Sequence, residues 1–81
     1  MKVNKKQIPS LLEMFSNGLM YYRSRMDLTQ AELAARAGVS TSTICQLEKR
    51  LKAPSFQTME WLAGALNVKD PRKLFKLPRR S

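Results

Sequence analysis

QAELAARAGVSTSTICQLEKR, running from Gln30 to Arg50, is the stretch on which the reading of this chain turns. Leu33, Ala34 and Ala37 share one helical face by their i, i+1, i+4 spacing, and Ile44 and Leu47 share another by i, i+3. Val39 lies between the two groups. Gly38 can adopt the left-handed conformation that closes the first helix, and Ser40 can cap the second. Two short helices hinged at a glycine, with small residues at the crossing and polar residues on the outer side of the second, make a helix-turn-helix.

Working outward, Thr29 with Glu32 is a capping box, so one helix runs from Gln30 to Ala37 and the next from Thr41 to about Lys49. Upstream, Ser10 with Glu13 repeats the signature and opens an earlier helix. On that helix Leu12, Phe15, Leu19, Tyr22 and Met26 fall on one face. Arg23 falls on that same face, while Met14 and Tyr21 point away from it. Gly18 weakens the helix by roughly 1 kcal/mol relative to alanine. Asp27 and Leu28 form the link to Thr29. Downstream, Ser55 caps a fourth helix whose inner stripe is Phe56, Met59, Leu62, Ala63 and Leu66, with Trp61 nearly opposite. Asp70-Pro71 has the cap-then-proline form of a helix start, giving a short fifth helix to about Lys76, anchored by Leu74 and Phe75. The expected architecture is all-α with five helices. A basic arm occupies residues 1–9, the helical domain 10–76, and a basic tail 77–81.

The segment LTQAELAARAGVSTSTICQLE resembles the DNA-binding domain of the lambdoid phage repressor and Cro family, the XRE-type regulators. The Leu-Thr-Gln entry, the glycine turn, the Gln-Leu-Glu end and Pro-Ser before the next helix agree in order and spacing, and the likeness extends from Leu19 to Phe75. It implies a lambda-repressor-like fold and binding to double-stranded DNA as a homodimer. One departure stands out. The family places glycine two residues after the glutamate, where this chain has Arg50, so either Arg50 is strained or the third helix runs on.

Composition agrees with a nucleic-acid ligand. Fifteen Lys and Arg against six Asp and Glu give a net charge of +9 on 81 residues, which favours association with a polyanion. At 43% hydrophobic the chain suits one small globular domain. A single cysteine, Cys45, excludes an internal disulfide or thiolate cluster. With no histidine there is no His-based triad or metal site, so neither an enzyme nor a cofactor is expected. Glu13, Ser16 and Asn17 interrupt the apolar run near the start, and no uncharged span reaches membrane length. The chain is read as cytoplasmic with no membrane partner.

On the third helix Thr41, Ser42, Cys45, Gln46 and Lys49 face outward or flank the outer side. A helix fits the major groove, and glutamine can pair bidentately with adenine. By the resemblance, the first, second and sixth residues of this helix read bases: Thr41, Ser42 and Gln46. Cys45 is small enough for close approach or for a thymine methyl. The competing reading of this face is a solvated polar surface. Gln30 occupies the family's place for a phosphate contact, at a helix N-terminus suited to anions. Thr43, Lys49, Arg50 and Lys52 are further phosphate-binding candidates. Arg23, on an inward face, and Glu48, next to the core residue Leu47, are expected to form the structural ion pair that the family makes at these places.

Trp61, Leu74 and Phe75 are candidates for the dimer interface. The alternative for Trp61 is cover by the N-terminal arm around Ile8. No second, ligand-sensing domain is expected, and the favoured function is a sequence-specific regulator, a repressor acting as a homodimer on a twofold-symmetric operator. The rival is an antitoxin that represses its own operon and grips a toxin through Trp61, Met14 or the tail.

Overall fold

A computed structural model describes residues 10–77; the expected basic arm, Ile8 included, and residues 78–81 of the tail lie outside the described residues. Four α-helices follow one another: α1 Leu11–Arg25, α2 Gln30–Ala37, α3 Thr41–Glu48 and α4 Phe56–Ala65. Each starts at a hydroxyl cap. Ser10, Thr29, Ser40 and Ser55 accept the backbone N–H three residues on, at 3.0–3.1 Å. At Thr29 the box is complete, because the Glu32 carboxylate accepts the Thr29 N–H at 2.8 Å. At Ser10 only the hydroxyl half forms. The carboxylate of Glu13 instead lies 3.7 Å from the Arg50 guanidinium.

The expected fifth α-helix is replaced by a single 3-10 turn, Pro71–Leu74. Asp70 caps it by accepting from the Arg72 N–H, and Phe75 is already extended, so the chain leaves helical geometry well before Lys76. One turn suffices to bury Leu74, and Leu77 precedes a proline, which disfavours helical backbone there.

The core is built from Phe15, Leu19, Leu33, Ile44, Leu47, Leu62 and Leu74, all without solvent exposure. α2 packs on α3 and α4, α1 packs on α3 and on the 3-10 turn, and α4 packs on that turn as well. The inner stripe of α4 starts at Met59, not at Phe56, which is 85% exposed. As the first residue of α4, Phe56 lies before the part of the helix that packs. Leu74, expected at a dimer interface, is spent inside the subunit. Phe75 places its ring 5.5 Å from that of Phe15 and is partly covered by its own core.

Gly18 is not simply a weak point in α1. A Cβ there would stand 1.5 Å from the carbonyl oxygen of Leu74, so the glycine is what lets the 3-10 turn lie against α1. Leu74 thereby enters the core, and the Lys76 N–H reaches the Met14 carbonyl at 3.1 Å. The prediction is that Gly18→Ala lowers stability by ~1–3 kcal/mol through overpacking, despite alanine's better helix propensity. Urea denaturation measures it; a gain in stability would show that the turn does not pack on α1 in this way.

All four helices end on a left-handed residue: Asp27 (φ 54°), Gly38 (φ 75°), Arg50 (φ 63°) and Asn67 (φ 58°). The helix ends have matching hydrogen bonds, with Leu28, Val39, Leu51 and Val68 N–H groups reaching back to Arg23, Ala34, Gln46 and Ala63 carbonyls. Of the two alternatives at Arg50, strain is the one realised. α3 closes at Glu48 with Lys49 as its cap. Left-handed backbone costs a residue with a Cβ about 1–2 kcal/mol. The 3.7 Å contact to Glu13 is largely exposed on both sides and offsets little of that. Arg50→Gly is therefore expected to raise the melting temperature by about 4–8 °C, measured by circular dichroism; an unchanged or lower value would mean the strain is compensated.

Candidate nucleic-acid interface

The inner side of α3 carries Ile44, Leu47 and Glu48, all buried. Helical geometry then sends Ser42, Cys45, Gln46 and Lys49 outward, with Thr41 and Thr43 at the flanks. Thr41, Ser42, Gln46 and Lys49 are exposed, and Cys45 is half-buried between the outer and inner faces. Thr43 is also half-buried, and its hydroxyl lies 2.8 Å from that of Ser40, so it takes part in the helix cap. Beyond the helix, Arg50 and Lys52 are exposed. The outer face thus has short polar side chains along its length and cations at its C-terminal end.

Behind this face sits a charged group that α3 cannot leave in water. The Glu48 side chain is 5% exposed. Its carboxylate accepts two bonds from the Arg23 guanidinium, Nε to Oε2 at 2.6 Å and NH2 to Oε1 at 2.9 Å. This fork is the geometry in which an arginine–carboxylate pair is strongest. Arg23 also donates from NH1 to the Leu28 carbonyl at 2.9 Å, and the Ser16 hydroxyl donates to the Glu48 carbonyl at 2.6 Å. The bonds from Glu48 hold the arginine pKa above its ordinary value, against the opposing effect of burial.

Gln30 joins the same cluster. Its Nε2 donates to Glu48 Oε1 at 2.9 Å, a link that the sequence pattern did not signal. One amide hydrogen is thereby engaged, and a second N–H on that nitrogen remains. The side chain expected to meet phosphate is consequently oriented by the carboxylate at the end of α3.

Two other carboxyls have shifted acidities. Bonds from the Thr29 backbone and hydroxyl lower the Glu32 pKa, and Arg72 holds the Asp70 carboxyl at about 2 through its guanidinium and backbone N–H. Both serve helix starts away from the outer side of α3. Three features of the surface went unread in the sequence: the exposed Leu51, the exposed Phe56, and the tie between Glu13 and Arg50. Among the described residues no group of His, Cys, Asp and Glu is placed to hold a metal ion, and no helix is long and apolar enough to cross a membrane.

A capped helix, a glycine turn and a second helix with a polar outer face, fastened to α1 by a buried ion pair, define a helix-turn-helix protein of the kind that binds DNA. The chain belongs to the XRE-type helix-turn-helix family, whose helix-turn-helix model matches residues 19–74. An uncharacterized HTH-type transcriptional regulator of Methanocaldococcus jannaschii is 42% identical over 53 residues, covering 65% of this chain and 80% of the relative. Among solved structures, the restriction-modification controller protein C.AhdI from Aeromonas hydrophila superposes with a TM-score of 0.74 at 31% identity, covering 79% of this chain and 96% of that one.

The ion pair generates a prediction of its own. Arg23→Met strands a buried carboxylate and should cost about 3–5 kcal/mol, a large share of the roughly 5–15 kcal/mol that holds a small domain folded. Arg23→Met with Glu48→Leu should recover most of that loss, because an apolar pair leaves no uncompensated charge. Urea denaturation of both variants checks this, and a single variant as stable as wild type would show that Glu48 finds water instead.

Proposed function

We propose that this protein is a sequence-specific transcription regulator, a repressor that binds a twofold-symmetric DNA operator as a homodimer in the cytoplasm. The observation that carries the reading is the exposed stripe of Ser42, Gln46 and Lys49 on a helix whose other side is locked to α1. In this reading residues 10–76 are the DNA-binding unit. Thr41, Ser42, Cys45 and Gln46 approach base edges in the major groove. Gln30, Thr43, Lys49, Arg50 and Lys52, with the basic arm and tail, meet phosphates and set the register. The structural neighbour is a restriction-modification controller protein, which supports a regulatory role. No observation favours the toxin-binding alternative.

Selection of bound sites from random DNA duplexes tests the proposal. Two half-sites related by a twofold should emerge, about 10 bp between centres, since paired recognition helices enter the groove one turn apart. Failure to enrich any sequence would sink the reading.

Gln46→Ala is expected to relax preference at one base pair per half-site, at a cost of roughly 1–3 kcal/mol there, and to leave the salt dependence nearly unchanged. Lys49→Ala should do the reverse, weakening every sequence alike and lowering the salt slope by about one. Titrations at several sodium chloride concentrations, with site selection repeated on both variants, separate the two roles. An unaltered site preference in Gln46→Ala would mean that another residue reads the bases.

A further inference from the structure

The three glycines of the chain have unequal reasons to be glycine. Gly18 admits the Leu74 backbone and Gly38 takes a left-handed turn, but Gly64 does neither. It lies in the last turns of α4, exposed, and a Cβ built there meets nothing within 4 Å. Alanine would favour the helix at this position, so nothing among the described residues accounts for the glycine. One turn earlier on the same outer side stands Trp61, the chain's single tryptophan, 45% exposed. Alongside Gly64 runs a groove of about 550 Å³ between Glu60, Asn67, Val68, Lys69 and Pro71, roomy enough for an indole ring. A projecting aromatic and a recess beside it, three residues apart on one helix, are self-complementary. In a twofold contact a residue i that meets j also has j meeting i.

Resting on the homodimer reading above, we propose that the outer face of α4 is where two copies of this chain meet, antiparallel, with Trp61 of each seated in the groove beside the partner's Gly64. Charge points to a second copy as the occupant. On a chain of net charge +9, α4 carries one charged residue, Glu60, and it is acidic. Glu60 has no ion-pair partner among the described residues, and Lys69 lines the same groove. Two copies can therefore approach through α4 without stacking cations, and each incoming indole N–H meets a groove edged by the Glu60 carboxylate and the Asn67 amide. α3 packs on α1 and α2 while α4 packs on α2 and the 3-10 turn, so this contact and the DNA face belong to different helices.

The single tryptophan reports on its own burial. For the full chain, emission is expected to shift to shorter wavelength as concentration rises through the monomer–dimer range seen by sedimentation. Gly64→Gln fills the groove with a good helix former. It should melt no lower than wild type as a dilute monomer, yet weaken self-association by roughly 30-fold or more, the scale for an anchor that loses its pocket, and abolish the shift. Trp61→Ala should weaken association to a similar degree. If Gly64→Gln dimerises like wild type, the interface lies elsewhere and this proposal fails while the homodimer reading stands. Blue-shifted emission already present in the dilute monomer would overturn it too, since the chain's own segments would then cover Trp61. A single copy on selected operator DNA, with no dimer at any concentration, would overturn both readings.

Discussion

Everything about the placement of the third helix depends on one buried carboxylate. Glu48 sits at the last turn of α3 with its side chain 5% exposed, and an unpaired charge there would cost several kcal/mol. It is tolerated because three donors from two helices converge on the carboxylate, two from Arg23 of α1 and one from Gln30 at the start of α2, while the Ser16 hydroxyl separately holds the Glu48 backbone carbonyl. Apolar packing of Ile44 and Leu47 would let α3 slide or rotate by a fraction of a turn at modest cost. The bidentate fork does not, since both oxygens must meet both nitrogens. The pair is better understood as fixing orientation than as adding net stability, because desolvation of both charges consumes much of their attraction.

That constraint reaches the outer face of α3 through short covalent distances. Gln46 and Lys49 flank Glu48 by two residues and one residue, and Gln30 is held to the same carboxylate oxygen that Arg23 holds. A side chain assigned to phosphate and a helix assigned to bases thus share a single anchor. Any rotation of α3 that re-aimed Gln46 would pull on Gln30.

The helices were legible from the sequence because local signals suffice for them. Hydroxyl caps place all four helix starts, and the bounds of α2 follow from its capping box and its glycine. The inward faces of α1, α2 and α3 followed from periodicity, as did the reason to pair Arg23 with a carboxylate. What could not be read depends on contacts between distant segments. Gly18 looks like a defect in a helix until the Leu74 carbonyl is seen 1.5 Å from where its Cβ would be. Phe56 fits the inner stripe by spacing, yet overhangs the packed part of α4. Asp70-Pro71 announces a helix start truthfully, but no local rule says that the helix stops after one turn.

Arg50 shows how the local and the functional demands meet at one residue. Three of the four helix ends use a left-handed residue that is not glycine, and Asp27 and Asn67 belong to types that tolerate this conformation better than most. Arginine does not, so the strain at Arg50 is set against something that glycine lacks. Among the described residues it gains one long, exposed contact to Glu13, too weak to account for it. What arginine adds is a cation at the C-terminal end of α3, next to Lys49 and close to Lys52, where the helix dipole also favours positive charge. Strained backbone of this kind tends to persist where the side chain has work to do. The same logic divides the outer face along its length. In the proposed DNA-bound arrangement, neutral side chains would stand where close approach to base edges is needed, and cations beyond them, where the charge of the phosphates matters more than distance from the bases.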